Sequence, residues 1–176
     1  VSRRVTWRQV GIARDDPIDK NVYKALVAVH EPAYQNWAAF ARAFLTHVNP
    51  HTGRRYADEP GLPLIALINE GSIGYGMRET RETAPMQAAW LAWLREKRAK
   101  DPSFAEVPDT MPIGMSGKAG SAAALFVADI EGKMVARMKA FLRDEIGCRA
   151  LISNYNCGTH YVPLQPVRAA LYDYVD

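Results

Sequence analysis

The chain has 176 residues, 48% of them hydrophobic and 23% charged, which excludes a disordered or collagenous polypeptide and a disulfide scaffold and suits one domain with a substantial core. The formal charge of +3 comes from 22 basic against 19 acidic residues spread along the sequence, so no nucleic-acid partner is expected, because that footprint needs a clustered basic face with aromatics between. Apolar runs such as residues 64–68 are far too short to span a bilayer, and no membrane partner is expected either.

In chain order, residues 1–20 read as irregular and polar, with Asp15-Asp16-Pro17 marking a turn or a helix start. The opening Val1-Ser2-Arg3-Arg4-Val5 lacks an initiator Met and a leader pattern, as though cut from something longer, which leaves the compartment open. Residues 22–30 suit a short helix. Over 34–48 the apolar positions Trp37, Phe40, Ala41, Phe44, Leu45 and Val48 follow the helical period and predict one buried face. A polar loop leads to Pro63-Leu64-Ile65-Ala66-Leu67-Ile68, whose lack of alternation predicts a strand buried on both faces. It stops at Asn69-Glu70-Gly71-Ser72, and a Gly-rich, charged loop runs on to 82.

A helix is predicted from Ala84 to about Lys100, with Thr83 as N-cap, Pro85 in the first turn, and Met86, Trp90, Trp93, Leu94 and the stem of Lys97 inward. The loop over 101–120 is long enough to suggest a functional or mobile segment. Ser121 is expected to open the longest helix, with Phe126, Ile130, Met134, Met138, Phe141 and Leu142 as its inner stripe and Gly147 at its C-terminal cap. A second strand over 148–153 ends in Asn154-Tyr155-Asn156-Cys157-Gly158. A short helix around 164–171 and the opening of a further strand at 172–176 complete the order. Cys148 and Cys157 are nine residues apart in an expected strand plus loop, a span of up to about 30 Å, and read as free buried thiols.

Strands separated by helices imply an α/β fold built of parallel β-α-β units. Neither strand is followed by GxGxxG or GxxxxGK[ST], which argues against dinucleotide or P-loop chemistry. His30, His47, His51 and His160 have no metal-binding spacing, so no metal site is expected. Ligands of parallel α/β folds gather at the carboxyl ends of strands, which directs attention to Asn69-Glu70 and Asn154-Tyr155-Asn156.

The stretch His47-Val48-Asn49-Pro50-His51-Thr52-Gly53-Arg54-Arg55-Tyr56-Ala57-Asp58-Glu59-Pro60, followed by Leu64-Ile65-Ala66-Leu67-Ile68-Asn69-Glu70, resembles bacterial family-five-like glycoside hydrolases of clan A, of the cellulase and mannanase type. The resemblance continues in Phe141-Leu142-Arg143-Asp144-Glu145-Ile146-Gly147 and in Asn156-Cys157-Gly158-Thr159-His160-Tyr161, and covers about residues 34–176. It implies a partial (β/α)8 TIM barrel, 1–176 forming a single, incomplete segment of the catalytic domain. It makes Glu70 the general acid/base at the tip of the fourth strand and Asn69 a neighbour that bonds a sugar hydroxyl. The strands at 148–153 and 172–176 become the fifth and sixth. The nucleophile, a second Glu on a seventh strand, falls beyond the sequence, and neither Asp173 nor Asp176 matches it.

The function implied is retaining hydrolysis of a β-linked poly- or oligosaccharide, with no cofactor and a carbohydrate as partner. Asn154, Tyr155, Asn156 and His160 are candidate sugar contacts on the same face, and Trp7, among Arg3, Arg4 and Arg8, is a candidate stacking residue. The plain structural alternatives are turn formation by the asparagines and pairing of Glu70 with Arg78 or Arg81 or capping of the next helix. The alternative function is a catalytically incomplete partial barrel that binds saccharide or self-assembles through exposed sheet edges. A different α/β enzyme using Glu70 otherwise has no positive support in the sequence.

Overall fold

The computed structural model describes residues 5–71, 73–112 and 116–153, together with 170, 172 and 173. The predicted helix at 164–171, the strand at 172–176 and Cys157 therefore lie outside the described residues, apart from those three positions.

A 3-10 turn, Trp7–Val10, comes first, closed by a capping box in which Thr6 N–H donates to Gln9 Oε1 at 2.8 Å. Gly11, at φ 78, ends it; a Cβ there would lie 3.4 Å from the Pro32 ring, so glycine serves both the left-handed turn and the close approach. Helix α1, Lys20–Val29, starts where the Asp19 carboxylate accepts from the Asn21 and Val22 N–H groups. A single extended residue, His30, separates it from α2, Glu31–Leu45, whose first turn contains Pro32. Strand β1, Leu64–Ala66, follows an antiparallel bridge between Val48 and Arg55. Next come a 3-10 turn, Ile73–Gly76, and the short α3, Met77–Thr80. Then α4, Ala84–Lys100, and α5, Gly117–Ala140, lead through a π-helical turn, Phe141–Ile146, to strand β2, Leu151–Ser153.

The core is helical and aromatic. Trp90 and Trp93 of α4 stack at 5.4 Å, and Phe126 of α5 meets Trp90 edge-on at 5.3 Å. Trp90, Phe126, Leu94, Met86 and Met138 are completely buried; each such side chain removed from water contributes about 1.5–3 kcal/mol. Residues 101–112 are tied onto this core from outside: Arg98 binds the Phe104 and Val107 carbonyls and the Asp109 carboxylate, and Trp90 Nε1 donates to the Pro108 carbonyl at 3.2 Å.

The expected α/β architecture of parallel β-α-β units, a partial TIM barrel, is not what the chain forms. It is mostly helical, and β1 and β2 make one small parallel pair, in the register Leu64↔Leu151, Ile65↔Ile152 and Ala66↔Ser153. Parallel pairing is present, but the sheet does not organise the molecule; helix-on-helix packing does. The predicted burial of β1 on both faces also fails. Ile65, Leu67 and Ile152 turn toward the helices, whereas Leu64 and Leu151 remain 46% and 48% exposed.

The sheet's two edges differ. On β2, the Asp173 N–H donates to the Ile152 carbonyl and its carboxylate accepts from the Ile152 N–H, both at 2.9 Å. The Lys139 ammonium and the Arg143 guanidinium hold that carboxylate in turn. On β1, Leu64 and Ala66 direct their N–H and C=O groups away from β2, and these meet no partner among the described residues.

Candidate functional site

The ladder runs one step past β1. Leu67 N–H donates to the Ser153 carbonyl at 2.8 Å, and the Leu67 carbonyl accepts from Trp37 Nε1 at 3.0 Å. α2 and β2 together thus fix the strand's exit. Ile68 and Asn69 lead from it to Glu70, whose φ of 50 makes it the one non-glycine residue with a left-handed backbone among the described residues. That conformation brings Cβ against the backbone and costs an L-residue about 1–2 kcal/mol. Strain of this kind in a residue with no local reason for it marks a position held by its surroundings.

Helix α1 lies against this turn. Lys24 is only 8% exposed, and its Nζ donates to the Glu70 main-chain carbonyl at 3.1 Å and stands 4.0 Å from Glu70 Oε2. A buried ammonium is costly unless its donors are met. The same helix packs against the 73–76 turn and α3, so both sides of the Glu70 turn rest on α1. The Glu70 side chain itself is 47% exposed, and Asn69 beside it is exposed as well. Glu70 and Asn69 thus present a carboxylate and an amide at the surface beside α1. Of the pairings expected for Glu70, the Arg78 side chain lies outside the described residues, Arg81 bonds the Glu82 carboxylate at 2.8 Å, and Lys24 is a cation close to Glu70.

The other predicted site residues divide. Asn154, Tyr155, Asn156 and His160 lie outside the described residues. Trp7, expected in an irregular polar stretch, is 9% exposed in its 3-10 turn with the Arg14 guanidinium 5.0 Å over its ring. It borders a cavity of about 540 Å³ with Val22, Glu79, Thr83 and Pro85, whose lining does not include Glu70. The reason is the capping box, which gives the polar-looking segment a turn that buries its aromatic.

Lys24 was not among the predicted site residues, although it is the only charged side chain between Lys20 and Glu31 and so interrupts an apolar run. Glu131 is a second buried polar group on the core side of α5, 3% exposed, with the Tyr172 hydroxyl 3.5 Å from its Oε1. Between α2 and α5 a further cavity of about 710 Å³ contains Arg42 and Arg137, already paired with Glu145 and Glu31. Arg137 also lies 3.5 Å over the Tyr34 ring. Those charges are spent on joining the two helices.

Among the described residues no group of three or more His, Cys, Asp or Glu is placed to hold a metal ion, and no helix is long and apolar enough to cross a membrane. Cys148 is a buried free thiol. Comparison with known proteins gives no matching family model, no matching curated protein and no matching solved structure.

Proposed function

We propose that the chain serves the hydrolysis of O-glycosidic bonds in a β-linked poly- or oligosaccharide, with Glu70 as general acid/base and Asn69 as a contact to a sugar hydroxyl. The observation that carries this reading is the strained backbone of Glu70: an exposed carboxylate at a strand exit, at φ 50, whose main-chain carbonyl accepts from a buried lysine of another helix. A glutamate needed only for solubility has no cause to occupy that conformation. In the reaction, the Glu70 carboxyl donates its proton to the glycosidic oxygen as the bond to the anomeric carbon breaks. The resulting carboxylate then takes a proton from the water that releases the sugar. A retaining course needs a second carboxylate about 5–5.5 Å away as nucleophile, a role assigned to none of the described residues. The exposed carboxylate also suits this chemistry because both proton transfers pass through it.

The test is hydrolysis by the full chain of aryl β-glucosides and β-mannosides and of the corresponding polysaccharides. Glu70→Gln is expected to lower kcat by about 10²–10⁴ on substrates with poor leaving groups. Unchanged hydrolysis in that variant would remove Glu70 from the mechanism.

The second reading, a self-assembling module, is favoured by the outer edge of β1, where the outward groups of Leu64 and Ala66 meet no partner among the described residues. Antiparallel pairing of β1 with its counterpart in a second copy satisfies the outward groups of Leu64 and Ala66 on both chains and covers Leu64. Sedimentation should show a dimer that Leu64→Lys converts to monomer; a wild-type monomer at all concentrations would dismiss the reading.

A further inference from the structure

Lys24 is unusual in three respects at once. It is a buried cation in an apolar helix, its hydrogen bond goes to a main-chain carbonyl, and that carbonyl belongs to the one strained non-glycine residue among those described. We propose that Lys24 is a positioning residue for Glu70: its ammonium clamps the carbonyl of the strand-exit turn, holds the left-handed backbone in place and so aims the carboxylate at the scissile oxygen. The catalytic consequence rests on the hydrolase reading of Glu70; the conformational one does not.

The physical case is direct. Without a partner for its carbonyl, residue 70 gains by leaving the left-handed region, since doing so relieves about 1–2 kcal/mol. The donor that opposes this release must be rigid and partly dehydrated, and α1 supplies both properties: Lys24 sits between the buried Val22 and the fully buried Ala25 and Leu26. A lysine stem reaches the carbonyl from inside the core while leaving the outer face of Glu70 to substrate. At 4.0 Å from Oε2, the Lys24 Nζ also sets a positive charge beside the carboxylate.

Two measurements on the full chain test this. The first is the three-bond amide-to-Hα coupling of Glu70, which reports φ; Lys24→Met should shift it from the left-handed to the extended value. The second is hydrolysis of aryl glycosides that differ only in leaving group. Protonation matters for phenol and little for dinitrophenol, so Lys24→Met should lower kcat on the phenyl glycoside about 10- to 100-fold and leave the dinitrophenyl glycoside within about 3-fold. Lys24→Arg, which keeps the charge, should recover part of the loss. If Met is not tolerated, Lys24→Gln, which keeps a donor, is expected to give an intermediate loss in both measurements.

An unchanged coupling in Lys24→Met overturns the proposal, as does an equal loss on both substrates, which is what mere destabilisation produces. If Glu70→Gln shows no leaving-group dependence, the hydrolase reading falls instead, and the coupling alone then decides whether Lys24 sets the backbone.

Discussion

Replacing Glu70 by glycine separates a functional carboxylate from a structural one by the sign of the stability change. Glycine has no Cβ, so the left-handed backbone at φ 50 costs it nothing, a relief of about 1–2 kcal/mol. Against this stands the greater freedom of glycine in the unfolded chain, about 0.5–1 kcal/mol. The Lys24–Glu70 contact subtracts only a few tenths of about 1 kcal/mol, because it is 4.0 Å long and the carboxylate is 47% exposed. The Lys24 hydrogen bond is not lost at all, since its acceptor is the main-chain carbonyl, which glycine retains. The net expectation is a gain of about 0.5 kcal/mol, visible as a higher urea midpoint at unchanged slope. Glu70→Ala keeps the strain and loses the carboxylate, so it should fall below the glycine variant by about 1 kcal/mol. Both should lose hydrolysis. A Glu70→Gly variant clearly less stable than wild type would refute the reasoning, because the carboxylate would then be there for its structural contacts.

Three other predictions concern the frame. Trp90→Ala should cost about 3–5 kcal/mol in urea unfolding, because the ring is completely buried between Trp93 and Phe126 and its Nε1 anchors Pro108; a loss below about 1 kcal/mol would mean the aromatic cluster is not the core. The Lys139 ammonium, with the Ile152 N–H and Arg143, holds the Asp173 carboxyl below its ordinary 3.8. A carboxylate depressed in the folded state stabilises above its unfolded pKa, and that contribution is lost as pH falls through the folded one. Wild type should therefore lose more stability than Asp173→Asn as pH is lowered below about 4, and parallel curves for the two would exclude the linkage. Burial pushes the Tyr23 hydroxyl, bonded to Asn36 Oδ1 at 2.9 Å, up to about 12. The neutral form then stabilises fully below the unfolded value near 10, and this is lost as pH rises toward 12, so a phenolate absorbance step absent from Tyr23→Phe should accompany alkaline unfolding.

The helices were largely legible. Ala84–Lys100 begins and ends where its cap and period place it, and the predicted inner stripe from Phe126 to Leu142 is buried throughout, its last two residues in the π-helical turn. Two errors have physical causes. α5 begins at Gly117 and not at Ser121, because Gly117 and Gly120 disguise its first turn as loop. α2 faces inward through Ala33, Tyr34, Trp37, Ala38, Ala41 and Leu45, while Phe40 and Phe44 are 70% and 49% exposed. Small alanines let the helix approach its neighbours closely, and the two phenylalanines stack on each other at 6.3 Å instead. The apolar run at β1 revealed a strand but not how many neighbours it has, and that number decides between a sheet-centred and a helix-centred fold. At the candidate site, the position of Glu70 just past a strand was legible because strand ends are visible in sequence. Lys24 interrupts an apolar run, but its partner could not be read, because the bond to Glu70 spans 46 positions and no local pattern records it.

The pairing of Leu64 with Leu151 also has a kinetic consequence. Everything from α3 to the π-helical turn lies between the two strands, so closing the ladder requires a long loop to be ordered first. The helices, built on local contacts, are expected to form earlier, and the ladder to zip only after α5 has docked. Glu70 lies one short step beyond that ladder. The turn that carries it should be among the last parts of the molecule to assemble and among the first to open, exchanging its amide hydrogens while those of α4 and α5 are still protected.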